Sequence, residues 1–379
     1  MTTFDERAIS LARRFRITKV REQMERMSVD VLLLSLGADL PWLSGYEAMP
    51  LERPTVLVVP RTELATLVVP QLEAPRVRVD DELFRLRPWS EDEYAVGIIA
   101  NLAGDARSVA VSDRMWASLA LSIQDELVSA RFSRASLVTG PIRAIKDEFE
   151  ISMLRSAGAA ADEVAKALLE GEIRLIGRSE LEVSGEISQR LKDAGHARVN
   201  FAIVGSGSNA ASPHHEPGTR VIGNSETVVC DFGGTWFGGH DVGYCSDITR
   251  TVVTGSPSQE LIELYGVLEE AQAQAVEAVE VGQSCEEIDR VGRNIIEAAG
   301  YGEYFIHRIG HGIGIEEHED PYMVQGNMTR LVSGHAFSVE PGIYLPGRMG
   351  ARIEDIVIAH DGGTVRCNIV DHSLHVVEV

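Results

Sequence analysis

Four acidic residues lie in strand-like segments of the C-terminal half of the sequence. They form two spaced pairs, because Asp231 precedes Asp247 by 16 positions and Glu340 precedes Glu354 by 14. A single carboxylate in an apolar strand is costly to bury and usually indicates a salt bridge. Four carboxylates in two matched hairpins are more than arginines would neutralise, whereas a pair of divalent cations would balance them. A faint similarity between the two segments suggests that two related halves meet around one site.

A segment rich in histidine and glycine lies between residues 307 and 321. His307, His311 and His318 occur there, and the glycines at alternate positions around His311 allow close approach of the backbone to a site. One imidazole with four carboxylates is an oxygen-rich donor set that suits Mn²⁺, with Co²⁺, Fe²⁺ or Zn²⁺ as alternatives, better than a structural zinc cage. Two such ions would bridge a water, lower its pKa and stabilise a tetrahedral transition state.

The elements that carry these residues are predicted to be helices covering a mainly antiparallel sheet. Apolar residues recur every three or four positions over 151–168, and a second helix is predicted from an N-cap at Ser179 to Gly195, with Leu181 facing inward. Strand alternation puts Asp247 and Thr249 on one face. The other predicted helices and strand-rich segments are 258–280, 284–299, 219–237, 246–254, 335–345 and 351–360.

The first 140 residues predict an α/β layer domain, because strand-like runs follow a helix-compatible segment at 6–27. This part of the sequence holds no cluster of histidine, cysteine and carboxylate residues, so we expect a scaffold or a lid. The pair Gly140-Pro141 predicts a boundary between domains 1–140 and 141–379. The strand-like runs are Val29–Leu34, Thr55–Pro60, Ala65–Pro70 and Ser108–Ser112.

Composition excludes several classes of function. The chain has 379 residues, of which 35 are Lys or Arg and 57 are Asp or Glu, so its formal charge is −22. That acidic balance argues against a nucleic-acid partner. The most apolar stretch is too short to cross a membrane, and the N-terminal run lacks the order of a signal peptide. The cysteines show neither metal-type spacing nor a disulfide framework, so we expect a cytoplasmic protein. They are Cys230, Cys245, Cys285 and Cys367.

With these motifs, the sequence resembles the pita-bread metallopeptidase family, which includes methionine aminopeptidase, aminopeptidase P, Xaa-Pro dipeptidase (prolidase) and creatinase. The resemblance covers most of residues 141–379. The preceding domain resembles the creatinase/prolidase N-terminal domain, which methionine aminopeptidases generally lack. The resemblance therefore implies an α/β N-terminal domain followed by an α+β pita-bread catalytic domain with pseudo-twofold halves. The matching runs are Ser246–Thr251, Gly310–Gly314, His318–Pro321, Val339–Tyr344 and Ala351–Asp355.

The resemblance also implies a role for each matching residue. Asp247 and Glu354 would bridge two metal ions, Asp231 would complete one of them, and His311 with Glu340 would complete the other. A bridging hydroxide would attack the carbonyl before proline, with Glu340 as proton shuttle. The residues implied around the metals are His214 at the substrate mouth, His307 near the proline side, His318 beside the tetrahedral intermediate and Arg352 behind the carboxylates.

Two departures from the family pattern bear on specificity. The segment between Asp231 and Asp247 is longer than usual; we expect an extended glycine-rich turn overhanging the site, and the alternative makes His240 or Asp241 an additional ligand. Tyr322 stands where several dipeptidases carry an arginine that would hold the substrate carboxylate. The tyrosine weakens the hypothesis of a dipeptidase relative to that of an aminopeptidase. The arginines that could still bind the substrate carboxylate are Arg308, Arg330 and Arg348.

The leading hypothesis is a dinuclear metallopeptidase that cleaves the Xaa-Pro bond of dipeptides or short peptides. The alternatives are a creatinase-like or metal-dependent C–N hydrolase for a small non-peptide substrate, and a binding module without enzyme activity. Relatives of the creatinase and binding-module types generally lack the metal ligands, and this sequence retains five. By resemblance we also expect a homodimer.

Overall fold

The structure, a computed structural model, describes residues 5–377. The chain forms two compact units: the first ends at Arg143 and also includes His240–Val242, and the second begins at Ala144. Residues 1–4, which hold most of the run behind the expectation about a signal peptide, lie outside the described residues. Across residues 5–377, no helix is both long enough and apolar enough to span a membrane.

The first unit is a six-stranded mixed sheet with helices. In the sheet order β4-β3-β2-β1-β5-β6, strands β1, β5 and β6 are parallel, β3 and β4 are parallel, and β2 is antiparallel to its neighbours. This is the α/β layer arrangement predicted from the sequence. The elements are α1 Glu6–Arg26, β1 Val31–Leu34, α2 Asp39–Ser44, β2 Val56–Pro60, β3 Ala65–Pro70, a 3-10 turn at Ala74–Arg76, β4 Phe84–Trp89, α3 Ala95–Ala103, β5 Ser108–Val111, α4 Ala117–Glu126, β6 Arg131–Arg134 and α5 Ser136–Arg143.

Gly140-Pro141, a pair of residues that usually breaks a helix, lies inside α5. A proline within a helix removes one main-chain N–H donor. Here the chain continues for two more residues to Arg143, whose guanidinium forms an ion pair of 2.9 Å with the buried Asp39.

The second unit contains two five-stranded sheets, each covered by a pair of helices, and one two-stranded sheet. Its first elements are α6 Glu148–Leu169, α7 Glu180–Asp193, β7 His196–Ser206, a 3-10 helix at Gly207–Ala211, β8 Thr227–Trp236, β9 Tyr244–Cys245 and β10 Ile248–Thr254. The remaining elements are α8 Gln259–Glu277, α9 Cys285–Ala298, a 3-10 turn at Gly302–Tyr304, β11 Gly310–Gly312, β12 Glu319–Met323, β13 Ala336–Val339, β14 Gly342–Leu345, β15 Met349–Arg352, β16 Asp355–Ile358, β17 Val365–Arg366 and β18 His375–Val377.

The two halves of this unit are similarly built, as the weak internal similarity suggested. One sheet has the order β18-β10-β8-β7, with β9 on β8, and the other has the order β12-β11-β13-β16-β17. Helices α6 and α7 share an apolar core with the first sheet, and α8 and α9 share a core with the second. A bridge between Thr249 and Glu354 joins the halves. Strands that carry carboxylates, one set from each half, therefore meet at this bridge.

Local sequence signals explain where the helices begin. Ser179 and Ser284 each accept a hydrogen bond from the third helical N–H, and the glutamate at that position bonds back, which forms a capping box. The prediction that Leu181 faces inward is wrong, because it is 56% exposed. Val183 is buried instead, since it is four residues from Ile187 and so lies on the same helical face.

Candidate metal centre and substrate cavity

Asp247, His311 and Glu354 bring one ligand atom each to within 4.8 Å of one another. All three residues are buried, although they come from different strands or strand ends. His311 lies between Gly310 and Gly312, and a Cβ at either glycine would overlap a main-chain oxygen of the neighbouring strands. The glycines are therefore needed for the close packing that carries this histidine to the carboxylates.

The other two predicted ligands lie next to this group. Asp231 is directly opposite Thr249 in the β8–β10 pair, and Thr249 Oγ1 donates to Glu354 Oε2 at 2.7 Å. Glu340 follows β13, and its Oε1 lies 3.3 Å from His311 Nε2. The structure thus brings together the residues that the sequence proposed as metal ligands.

The hydrogen bonds of His311 show which of its nitrogens is free to bind a metal. Nδ1 lies 3.1 Å from the carbonyl oxygen of Gly312, which only accepts, so Nδ1 carries the proton. Burial lowers the pKa of His311 to about 3, so the ring is neutral and Nε2 has a lone pair. That lone pair faces Glu340 Oε1 at 3.3 Å and Asp247 Oδ2 at 3.6 Å. Three acceptor atoms that converge in this way suit a divalent cation.

The pKa values of the buried carboxylates also indicate that a positive charge would stabilise this group. Burial, together with the charges of neighbouring carboxylates, raises the pKa of Asp247 and Glu354 well above their usual range. Burial raises the pKa of Glu340 to about 7. Within residues 5–377, the buried atoms Asp231 Oδ1 and Glu354 Oε1 receive no hydrogen bond. The donor set therefore fits divalent cations, which would satisfy these oxygens and offset their repulsion.

Arg352 is the buried cation of the centre. Its Nη2 donates to Asp231 Oδ2 at 2.5 Å, and its Nε donates to Thr249 Oγ1 at 3.0 Å. Its Nη1 donates to Tyr344 Oη at 2.8 Å and to the carbonyl of Pro213 at 3.3 Å. The guanidinium thus holds one carboxylate, and it links the strand that precedes Glu354 to the loop that precedes His214.

The three remaining histidines line one cavity of about 820 Å³ with the carboxylates, a size typical of sites for small molecules. His318 lies against His311, with 3.9 Å between the ring centroids. His214 also lines the cavity, and it is exposed. Apolar side chains complete part of the wall, and they are Phe201, Ile203, Pro213, Ile306 and Val324.

The tautomer of His307 follows from its partners. Nδ1 lies 2.7 Å from the carbonyl of Arg308 and therefore donates to it, while Nε2 lies 2.9 Å from Tyr344 Oη. Burial lowers the pKa of His307 to about 4, so Nε2 accepts from the tyrosine hydroxyl. Tyr344 in turn accepts from Arg352. The sequence did not single out Tyr344, although it lies in the matched run that begins at Val339.

The long segment between Asp231 and Asp247 contains the expected extended glycine-rich turn, but no residue of this turn lines the cavity. Strand β8 continues to Trp236 and pairs with β9, and His240–Val242 belong to the first unit. Neither His240 nor Asp241 is among the residues that line the cavity. The extra length therefore extends β8 and forms a hairpin with β9.

A carboxylate-rich centre of this kind serves metal-dependent hydrolysis, and comparisons with known proteins identify the family. Metallopeptidase family M24 matches residues 152–361, and the Creatinase/Prolidase N-terminal domain matches residues 16–145. The chain belongs to metallopeptidase family M24.

Several similar proteins match along nearly the whole chain. The probable dipeptidase PepE of Mycobacterium tuberculosis is 41% identical over 352 residues, which cover 92% of each protein. The crystal structure of dipeptidase PepE from Mycobacterium ulcerans has a TM-score of 0.90 and 37% identity, and covers 100% of both chains. A prolidase from Thermococcus sibiricus has a TM-score of 0.88 and 35% identity, and covers 98% of this chain and 99% of that one.

These findings confirm the fold class, a creatinase/prolidase-type N-terminal domain followed by a pita-bread catalytic domain. They also confirm that the protein is a metallopeptidase, a class that binds divalent metal ions and acts on peptides. Since the protein is an enzyme of this family, the hypothesis of a binding module without activity is wrong.

His318→Ala is expected to lower kcat by about 100- to 1000-fold while most of the bound metal remains. The reason is that His318 lies beside His311 in the cavity but outside the group of converging ligand atoms. Metal content measured beside steady-state kinetics checks this. Loss of metal in proportion to activity would instead make His318 a ligand.

Proposed function

We propose that the protein is a dinuclear Xaa-Pro dipeptidase. The observation that carries the proposal is the convergence of five donor residues at one side of a cavity of about 820 Å³ that also has an apolar wall. Two of the similar structures are named a prolidase and an Xaa-Pro dipeptidase, which supports specificity for proline.

Two divalent ions, for which we propose Mn²⁺, would be held by Asp231, Asp247, His311, Glu340 and Glu354. When bound, the ions would activate a water and stabilise negative charge on the reacting carbonyl oxygen. Glu340 is proposed to take the proton of the attacking water and to deliver it to the leaving nitrogen. Its pKa of about 7 without metal reflects burial among these carboxylates.

The histidines of the cavity are proposed to act on the substrate. His318 would donate a hydrogen bond to the oxygen on which charge develops, and His214 would contact the substrate at the rim. His307, whose orientation is fixed by Tyr344 and the carbonyl of Arg308, would contact the proline side. Arg352 would hold Asp231 in its ligating orientation.

Further proposals concern the oligomeric state, the cellular location and the domain boundaries of the protein. We propose a homodimer in the cytoplasm and domains at 1–140 and 141–379. Matches of the N-terminal family to residues 16–145 and of the catalytic family to residues 152–361 support a boundary in this region. Light scattering of the purified protein tests the dimer: a mass of twice 41.3 kDa is expected, and the mass of a single chain would contradict it.

The substrate is tested on one preparation that is stripped of metal and then restored with Mn²⁺. We expect an Xaa-Pro dipeptide to be cleaved at least about tenfold faster than the corresponding Xaa-Ala dipeptide and an Xaa-Pro-Xaa tripeptide. Equal cleavage of the Xaa-Ala peptide would contradict proline specificity, and preference for the tripeptide would indicate an aminopeptidase. Cleavage of none of them by protein with bound metal would favour a non-peptide C–N substrate.

A further inference from the structure

Arg308 presents a positive charge to the cavity that holds the metal centre. It follows His307 in the chain, and its side chain lines the same cavity as His311 and Glu340. Its guanidinium carbon lies 4.4 Å from the centroid of the Tyr322 ring, within the range of a cation–π interaction. Tyr322 is the position at which a dipeptidase arginine would be expected, so here an aromatic ring supports an arginine from elsewhere in the chain.

The backbone around Arg308 is held on both sides. Arg293 Nη2 donates to the carbonyl of His307 at 2.8 Å, and the N–H of Ile309 donates to Asp289 Oδ1 at 3.0 Å. The carbonyl of Arg308 itself accepts from His307 Nδ1 at 2.7 Å. The position from which the Arg308 side chain extends is therefore fixed relative to His307.

The charge of Arg308 has no counterion in the part of the chain that the structure describes. Among residues 5–377 its guanidinium forms no ion pair, although Glu317 and Glu340 line the same cavity. Arg352, the other arginine of the cavity, is bound to Asp231. An arginine that is partly buried, stacked on a ring and free of acidic partners is suited to bind an anion.

The other arginines considered for this task are engaged elsewhere. Arg330 is exposed and donates to the carbonyl of Gly282. Arg348 is exposed and pairs with Glu260. Neither lines the cavity.

We infer that Arg308, supported by Tyr322, binds the free carboxylate of a dipeptide substrate and so restricts the enzyme to dipeptides. The inference rests on the proposed Xaa-Pro activity. Arg308 and Tyr322 together would then bind the substrate carboxylate that a single arginine at position 322 would otherwise bind. Length selection then follows from charge, because a longer peptide has a neutral amide where the dipeptide has its carboxylate.

The test compares an Xaa-Pro dipeptide with its C-terminal amide, which differs only in that charge. For the unaltered enzyme loaded with Mn²⁺, we expect kcat/KM to be about 10- to 100-fold higher for the dipeptide than for the amide. Arg308→Met should bring that ratio close to one, mainly through a higher KM for the dipeptide. The matched controls Arg330→Met and Arg348→Met should keep the ratio of the unaltered enzyme.

Variants of the supporting ring give a second measurement. Tyr322→Phe keeps the stacking face and should keep the ratio, whereas Tyr322→Ala should lower it severalfold. An unchanged ratio in Arg308→Met would overturn the inference while leaving Xaa-Pro cleavage intact. Failure of the unaltered enzyme to cleave either substrate would instead overturn the proposed function, and the inference with it.

Discussion

Asp247→Asn is expected to lower kcat/KM for an Xaa-Pro dipeptide by about a thousandfold or more. Substitution of a residue that only hydrogen-bonds to a metal ligand typically costs roughly 10- to 100-fold, and the loss of a ligand should exceed that. Asp247 Oδ2 is one of the acceptors that converge with His311 Nε2, and the amide removes its charge and half of its acceptor capacity. The variant should also bind less metal, as measured by elemental analysis.

The same substitution should leave the metal-free protein folded and no less stable than the unaltered metal-free protein. The reason is that repulsion among buried carboxylates raises the pKa of Asp247, and the neutral amide relieves that repulsion. Asp371→Asn, a change of the same type at an exposed position, is the control and should keep metal and activity. Near-normal turnover by metal-loaded Asp247→Asn would contradict its role as a ligand.

Arg250→Met is expected to lower the free energy of unfolding by about 3–5 kcal/mol. The Arg250 side chain is 1% exposed and forms an ion pair of 2.8 Å with Asp355, whose side chain is 0% exposed. It also donates to the carbonyls of Thr249, Glu354, Val370 and Asp371. Removing the guanidinium leaves a buried carboxylate with His372 and Gln272 as its remaining partners, and four carbonyls without this donor.

Urea unfolding of the metal-free protein measures this effect, because bound metal would add its own stabilisation. Arg348→Met is the control, since that arginine forms an exposed pair with Glu260 and should change stability by less than about 1 kcal/mol. A loss below about 1 kcal/mol in Arg250→Met would show that the buried pair is not important for stability.

Much of the fold was predictable from the sequence, because the apolar periodicity and the capping residues agree with the helices and strands that the structure contains. Strand β3, Ala65–Pro70, has the bounds that were predicted, and α7 begins at the predicted N-cap Ser179. Strand β7 was missed: only two of its first five residues, Ala197 and Arg198, are exposed, but the run His-Ala-Arg-Val-Asn lacks a clear apolar alternation, and the strand is held by pairing with the distant β8. Such long-range pairing leaves little signal in a single sequence.

The candidate site was predictable in its residue types but not in its connections. Carboxylates in apolar strands and a histidine between glycines indicate a metal centre from the sequence alone. The chain of bonds from Arg352 through Tyr344 to His307 was not predictable, because these residues are apart in sequence and meet only in the folded unit. The free charge of Arg308 was also hidden, since the sequence does not show which arginines already have acidic partners.

Metal titration of the stripped protein tests the central claim most directly. Xaa-Pro hydrolysis and bound Mn²⁺ should be measured together as the ion is added in equivalents per chain. We expect no hydrolysis without metal, and activity that reaches its maximum only when two equivalents are bound. Full activity at one equivalent would contradict a dinuclear mechanism, and full activity in the stripped protein would contradict metal-dependent hydrolysis altogether.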